Sequence, residues 1–144
     1  MGRLKNKVAI ITGGAPGGAR GIGGATTRLF AAEEAKVAIA DVLTEAGTAL
    51  AQELGDTVQF YHHDVTNPAS WSALVEQVEN QFGPIDILVN NAGILLFRSL
   101  LDTSLEDYER VLRVNLVGEF LGIKAVAPGM IARRKGSDRE YFIR

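Results

Sequence analysis

Residues 7–23 read KVAIITGGAPGGARGIG, a short apolar run followed by a loop rich in glycine. A β-branched run of this kind is typical of a strand that is buried on both faces of a parallel sheet. Beyond the loop, the apolar pattern of residues 22–35 predicts an amphipathic helix. Strand, glycine loop and helix in this order favour a phosphate-binding turn, because glycine allows a tight bend and leaves the helix N-terminus open to a phosphate.

The rest of the chain repeats the alternation of strand and helix. Three further strands are predicted at 36–40, 58–62 and 85–90, with helices at 43–54 and 68–82 between them. This alternation predicts an α/β fold, a doubly wound parallel sheet with strand order 3-2-1-4 and helices on both faces.

Capping residues mark the start of the last two helices. Asn67 is placed to cap the helix at 68–82. Thr103 and Glu106 form the capping-box pattern, which predicts that a long final helix begins there and runs towards Arg134.

Composition excludes several classes of function. The 144 residues suit one domain, and 15 basic against 17 acidic side chains give a net charge of −2, without the basic surface that nucleic acid or an anionic membrane needs. The absence of cysteine excludes disulfides, thiol nucleophiles and zinc–thiolate sites. His62 and His63 adjoin on a strand and point to opposite faces, so no metal site is predicted. The first apolar run, 8–11, is too short for a signal peptide or a membrane span, so we expect a cytoplasmic protein.

An acidic residue ends the second predicted strand. Asp41 follows Gly17 by 24 residues and Gly23 by 18, which brackets the spacing of the carboxylate that binds an adenosine ribose in dinucleotide sites. A carboxylate there repels a 2′-phosphate, so NAD is favoured over NADP. The alternatives are a loop that only connects two elements and an aspartate that only meets solvent.

Four short motifs together resemble the short-chain dehydrogenase/reductase family. They are Thr12-Gly13, Gly17-x-x-x-Gly21-Ile22-Gly23, Asp64-Val65 and Asn90-Asn91-Ala92-Gly93, and the resemblance extends over about 5–137. It implies a Rossmann fold, a homo-oligomer, and hydride transfer between a nicotinamide cofactor and a secondary alcohol or ketone. The overall pattern is similar to bacterial secondary-alcohol and hydroxysteroid dehydrogenases.

The resemblance also implies roles for individual residues. Asp64 and Val65 would contact the adenine ring, and the segment 90–93 would form the floor under the cofactor ribose and steady the sheet. Asn115 matches the active-site asparagine, whose backbone carbonyl binds a water in the proton relay; the alternative is a polar residue within a helix that meets solvent. The full set of implied cofactor-binding residues is Gly17, Arg20, Gly21, Ile22, Gly23, Asp41, Asp64, Val65, Asn91, Ala92 and Gly93.

Two local features depart from the family pattern. Residues 13–16 and 17–20, GGAP and GGAR, form a tandem repeat that makes the turn four residues longer than in the family. We expect the downstream copy to hold the working register. Glu34 stands where the family has glycine, at a cost of about 1 kcal/mol if the position needs a positive φ.

The third departure is at the C-terminal end. After Ser137 the chain reads DREYFIR, without the apolar fifth strand, the catalytic serine and the Tyr-x-x-x-Lys pair that the resemblance implies. We therefore expect an incomplete cofactor-binding domain at 1–137, a polar tail outside the family pattern at 138–144, and missing C-terminal strands and helices. Such a chain would be inactive by itself.

Exposed apolar surface would follow from that ending. The edge of the fourth strand would lack a neighbour, and so would the side chains of Leu116, Phe120, Ile123 and Val126 on the last helix. Because unpaired apolar edges promote association, we expect marginal stability and self-association. Three other interpretations stay open: a non-catalytic dinucleotide-binding module with a sensing role, a methyltransferase, and a non-functional gene fragment. The segment 90–93 argues against the methyltransferase.

Overall fold

Five parallel strands form one sheet in the computed structural model, which describes residues 2–17 and 21–140. The strands are β1, Val8–Thr12; β2, Lys36–Asp41; β3, Val58–His62; β4, Ile87–Asn90; and β5, Ser137–Glu140. Their order in the sheet is β3-β2-β1-β4-β5, so the predicted order of the first four strands is confirmed. The doubly wound parallel sheet predicted from the sequence is confirmed with it.

The central strand explains the uninterrupted apolar run. All five residues of β1 are buried, and Ile10 lies opposite Ala38 of β2 and Leu88 of β4. Ile10 and Ile11 pack into separate core clusters, because neighbouring strand residues point to opposite faces. A strand covered on both faces has no polar side to alternate with.

Four helices cover the two faces. They are α1, Ile22–Ala32; α2, Thr44–Leu54; α3, Pro68–Phe82; and α4, Leu105–Arg133. The first two contribute Phe30 and Leu50 to one core cluster, whereas α3 and α4 contribute Trp71 and Val126 to the other. The sheet is therefore wound on both sides, with α1 entering directly from the glycine loop.

The caps agree with the sequence at one helix and differ at another. Asn67 caps α3, since its side-chain oxygen accepts a hydrogen bond from the Ala69 N–H at 2.9 Å. At α4 the cap is Ser104, whose Oγ accepts from the Asp107 N–H at 3.1 Å. The predicted capping box at Thr103 is wrong by one residue, because the Thr103 hydroxyl instead donates to the Ser99 carbonyl at 2.8 Å.

The long helix α4 is not uniform along its length. It is α-helical over Leu105–Leu112, π-helical over Arg113–Val117 and α-helical again over Gly118–Arg133. By length and composition it is long and apolar enough to cross a membrane. In this structure Gly122 of α4 packs closely against Trp71, since an added Cβ would lie 2.7 Å from the indole ring. This contact is typical of a helix that covers the core of a sheet.

The predicted polar tail contributes a strand, which corrects the expectation of an open sheet edge. β5 pairs in parallel with β4, with Ile87 opposite Ser137 and Asn90 opposite Glu140, and the Ser137 N–H donates to the Asp86 carbonyl at 2.8 Å. The segment forms a strand in spite of its polar composition, because its main chain hydrogen-bonds to β4. Residues 141–144 lie outside the described residues.

The expectation for the last helix is also corrected in part. Val126 is only 4% exposed and belongs to the core. Leu116 and Phe120 are 56% and 60% exposed, whereas Ile123 is half-buried. The face of α4 that was predicted to lose its neighbours therefore does so mainly at Leu116 and Phe120.

Glu34 has a backbone conformation that favours glycine, and replacing it should stabilise the fold. Its φ is +67°, and its carboxylate makes an exposed ion pair with Lys5 at 3.5 Å. Because exposed pairs contribute little, we expect Glu34→Gly to raise the free energy of unfolding by about 1 kcal/mol. Urea denaturation measures this change. Glu34→Ala is the control, since it removes the ion pair and keeps the strain; equal stability of the two variants would contradict the strain argument.

Candidate functional site

A cavity of about 330 Å³ opens at the carboxyl edge of the sheet. Its walls come from the loop after β1 and from the ends of β2, β3 and β4. The connection from β1 leads to β2 on one side, while β4 lies on the other side, so the cavity sits where the strand order reverses. Ligands of open α/β sheets bind in this crevice.

Most of the predicted cofactor-binding residues line this cavity. They are Gly21, Ile22, Gly23, Asp41, Asp64, Val65, Asn91, Ala92 and Gly93. Gly17 is exposed on the loop, where an added Cβ would lie 3.5 Å from the Leu43 side chain, and its contact with a cofactor stays a prediction. Arg20 falls outside the described residues.

The upstream copy of the repeat builds the turn next to the strands. The Thr27 hydroxyl donates to the Gly14 carbonyl at 3.0 Å, and the Ala15 N–H donates to Asp41 Oδ2 at 3.1 Å. A Cβ on Gly23 would lie 1.8 Å from the Gly13 carbonyl oxygen, so α1 starts in direct contact with this turn. The sequence predicts the downstream copy of the repeat, 17–20, in this position. The structure has the upstream copy there instead, because residues 13–15 continue directly from β1.

None of the described residues covers Gly21 at the N-terminus of α1. Gly21 caps the helix with φ +61°, and a Cβ built on it would meet no described atom within 4 Å. The unpaired backbone N–H groups of a first helical turn, together with the helix dipole, bind phosphate well. The geometry therefore suits a pyrophosphate above Gly21 and Ile22.

The Asp41 carboxylate is fixed in place by two backbone groups. It is 8% exposed; Oδ2 accepts from the Ala15 N–H at 3.1 Å, and Oδ1 accepts from the Leu43 N–H at 3.0 Å. An ionised carboxylate has about four acceptor positions, so both oxygens keep capacity for the hydroxyls of a ribose. The residues that follow, Val42 and Leu43, place apolar side chains at the cavity wall.

A network centred on Thr12 and Asn91 joins the ends of β1 and β4. The Thr12 hydroxyl donates to the Val89 carbonyl at 3.3 Å and accepts from the Asn91 and Ala92 N–H groups, each at 3.0 Å. Asn91 Nδ2 donates to the carbonyls of Thr12 and Gly13 at 3.0 and 2.9 Å. The segment 90–93 thus fixes the floor of the cavity to the glycine turn.

Asn115 stabilises the loop that follows this floor. Its Oδ1 accepts from the Ile94 N–H at 2.8 Å, and its Nδ2 donates to the Ile94 carbonyl at 2.9 Å. The residue is half-buried within the π-helical segment of α4, where such segments often accompany functional sites. Its side chain is paired with the loop rather than with solvent, and its catalytic role stays a prediction.

Sequence reasoning missed the environment of His63. The imidazole is 2% exposed, contributes to the cavity lining, and shares a hydrogen bond of 2.8 Å between Nδ1 and Ser70 Oγ. Burial lowers the pKa of His63 to about 4, against the opposing effect of the Asp64 carboxylate. Its position directly before Asp64-Val65 was the available signal. Among the described residues, no three histidine, aspartate or glutamate side chains come together to hold a metal ion.

Stability should depend on pH through His63. The ordinary pKa of 6.5 applies in the unfolded chain, and the folded value is about 4. Between these values the unfolded state binds a proton that the folded state does not, so the free energy of unfolding falls as the pH falls through that window. Urea denaturation from pH 7 to pH 4 measures this slope. His63→Phe should flatten it, whereas the exposed control His62→Phe should not; an unchanged slope in the His63 variant would contradict the burial argument.

Comparison with known proteins gives a consistent family assignment. The family model described as short chain dehydrogenase matches residues 7–137. The 3-alpha-(or 20-beta)-hydroxysteroid dehydrogenase of Mycobacterium tuberculosis is 46% identical over 136 residues, which are 94% of this chain and 51% of that protein. Momilactone A synthase of Oryza sativa subsp. japonica is 45% identical, over 94% of this chain and 49% of that protein. Galactitol 2-dehydrogenase of Agrobacterium fabrum is 46% identical, over 93% of this chain and 51% of that protein.

The matched region takes in every element that builds the cavity. The chain spans about half the length of the curated relatives it matches. The family uses a nicotinamide cofactor, and the doubly wound sheet, the glycine turn and the Asn90–Gly93 floor are all within the matched residues. The chain therefore belongs to the short-chain dehydrogenase family.

Proposed function

We propose that this chain binds NAD in the cavity at the carboxyl edge of the sheet. It would form the cofactor-binding part of an oxidoreductase that transfers hydride between NAD and a secondary alcohol or ketone. The observation that carries the proposal is the buried Asp41 carboxylate, which lies beside the glycine turn at the start of α1 and keeps acceptor positions for a ribose. The volume of about 330 Å³ falls within the range of ligand pockets.

The residues present fit each part of the cofactor. The pyrophosphate would meet the N–H groups at the start of α1, and the adenosine ribose would meet Asp41. The adenine ring would lie by Asp64 and Val65, and the remaining ribose above the floor at 91–93. When bound, NAD supplies the hydride acceptor; this chain contributes binding and orientation.

Reduction of a ketone also requires a proton donor for the alkoxide. The resemblance implies a tyrosine assisted by a lysine, with a serine that holds the substrate oxygen, and residues 1–144 contain no Tyr-x-x-x-Lys sequence. We therefore propose that this chain binds NAD without oxidising alcohols by itself. The relatives are named for a hydroxysteroid and for galactitol, which both carry secondary alcohols, and this supports that substrate class for the reaction.

The direct test is titration of the chain with NAD and with NADP. We expect NAD to bind at least about tenfold more tightly, because the Asp41 carboxylate repels a 2′-phosphate. Asp41→Ala should reduce this preference to about twofold. Asp56→Ala, at an exposed position in the turn before β3, is the control and should leave the preference unchanged. Tighter binding of NADP to the unsubstituted chain would contradict the assignment of Asp41.

A non-catalytic dinucleotide-binding module is the second candidate. It is favoured by the same absence of Tyr-x-x-x-Lys from residues 1–144. An assay of NADH formation with secondary alcohols, carried out beside the titration, separates the two roles for this chain. The family match leaves the methyltransferase alternative without support.

The cellular setting stays a prediction. We propose a cytoplasmic protein that acts on a small molecule, with no nucleic-acid or membrane partner, and a homo-oligomer in keeping with the resemblance. Exposed apolar side chains on α4 and on the loop before it support self-association; they include Phe97, Leu100, Leu101, Leu105, Leu116 and Phe120.

A further inference from the structure

Three consecutive residues at the end of β3 are all held by α3. The Asp64 N–H donates to Ser70 Oγ at 3.2 Å, and the same hydroxyl shares the 2.8 Å hydrogen bond with His63 Nδ1. The Trp71 indole N–H donates to the Val65 carbonyl at 2.9 Å. The Trp71 ring also meets the His63 imidazole edge to face, with centroids 4.4 Å apart.

The same three residues form the wall at the proposed adenine end of the cavity. The Asp64 carboxylate is oriented from one side, because Oδ1 accepts from the Thr66 N–H at 2.9 Å and from the Thr66 hydroxyl at 2.7 Å. Its backbone is oriented from the other side by Ser70. A carboxylate only accepts hydrogen bonds, so a well-placed Asp64 favours a base that presents an amino group over one that presents a carbonyl.

The Ser70 hydroxyl also controls the orientation of His63. His63 Nε2 is buried and has no hydrogen-bond partner among the described residues. The bond between Nδ1 and Ser70 Oγ is therefore the hydrogen bond that orients the buried ring. Loss of that hydroxyl would free the imidazole of His63 and the N–H of Asp64 together, and both residues line the cavity.

We propose that Ser70 is a positioning residue for recognition of the adenine base, acting through His63 and the backbone of Asp64. This inference rests on the proposed function, since it assumes that NAD occupies the cavity. Ser70 does not itself line the cavity, so its effect reaches the base through the residues it holds.

Selectivity between two dinucleotides tests this role. Nicotinamide hypoxanthine dinucleotide differs from NAD in having a 6-oxo group in place of the adenine 6-amino group. The unsubstituted chain should bind NAD about tenfold more tightly than this analogue, the effect of one hydrogen bond to a charged acceptor. Ser70→Ala should lower the ratio to about threefold or less, and Ser70→Thr, which keeps the hydroxyl, should preserve it.

Ser72→Ala is the matched control on the same helix. Ser72 is exposed, and its hydroxyl donates to the Pro68 carbonyl at 3.4 Å, so its removal should leave the ratio at about tenfold. A general weakening of the fold would lower both affinities and leave their ratio unchanged, which separates positioning from structural damage. If Ser70→Ala fails to fold, His63→Phe serves as the second variant, with the same expected fall in the ratio.

The remaining outcomes are also decisive. An unchanged ratio in Ser70→Ala, or in His63→Phe where that variant is needed, would overturn the inference while the proposed function stands. Equal binding of the two dinucleotides to the unsubstituted chain would overturn it as well. Failure of the unsubstituted chain to bind either dinucleotide would refute the proposed function and this inference together.

Discussion

Replacement of Gly23 by alanine should destabilise the chain by about 3 kcal/mol, because the added methyl group has no room. The new Cβ would lie 1.8 Å from the Gly13 carbonyl oxygen and 2.6 Å from Asn91 Nδ2. The two atoms share a hydrogen bond of 2.9 Å. To admit a methyl group, either α1 would have to move away from the turn, or Gly13 and Asn91 would have to shift and lose that bond.

Gly21→Ala is the control for this effect. It lies two residues earlier, at the N-cap of α1, where the added Cβ would meet no described atom within 4 Å, but its φ is +61°. Its cost should therefore be limited to backbone strain, about 1 kcal/mol. Urea denaturation of the two variants gives the comparison. Equal losses would show that close contact at Gly23 does not determine the geometry of the turn.

The second large effect is expected at Thr12. Thr12→Val keeps the shape of the side chain and removes the hydroxyl, which leaves the N–H groups of Asn91 and Ala92 without their acceptor. Thr12 is 1% exposed and the two hydrogen bonds are partly buried, and an unsatisfied buried donor costs about 1–3 kcal/mol. We therefore expect a loss of about 3 kcal/mol and weaker NAD binding, because the floor of the cavity is no longer fixed to β1.

Thr12→Ser separates the hydroxyl from the methyl group. It keeps both hydrogen bonds and removes one buried methyl group, at a cost of about 1 kcal/mol. Thermal or urea unfolding ranks the three proteins, and NAD titration shows whether the floor is intact. A valine variant as stable as the serine variant would mean that the network around Thr12 contributes little.

The central features of the fold follow from local patterns in the sequence. The apolar run before Gly13 identified the central strand because a strand buried on both faces has no polar alternation. The spacing from Gly23 to Asp41 predicted that the N-terminus of α1 and the Asp41 carboxylate lie at the same edge of the sheet, since successive parallel strands have their carboxyl ends at one edge. Both features depend on short-range sequence, which explains why they were predictable.

Other features depend on contacts that sequence patterns do not report. β5 forms from polar residues because β4 offers its backbone groups to them, and hydropathy does not record such pairing. Ser104 rather than Thr103 caps α4, because the two hydroxyls compete and Thr103 finds the Ser99 carbonyl. The burial of His63 depends on its contacts with Ser70 and Trp71 of α3, which its position before Asp64-Val65 does not by itself specify.

NAD binding in this cavity is tested most directly by a titration of the ¹⁵N-labelled chain with NAD, followed by the backbone amide resonances. We expect the amides of Ala15, Gly21, Asp64 and Ile94 to shift together and saturate at one dissociation constant, since these residues line the cavity. The amide of Gly55, at the opposite edge of the sheet, should not move. Shifts centred elsewhere on the chain, or none at millimolar NAD, would contradict binding of NAD at the carboxyl edge of the sheet.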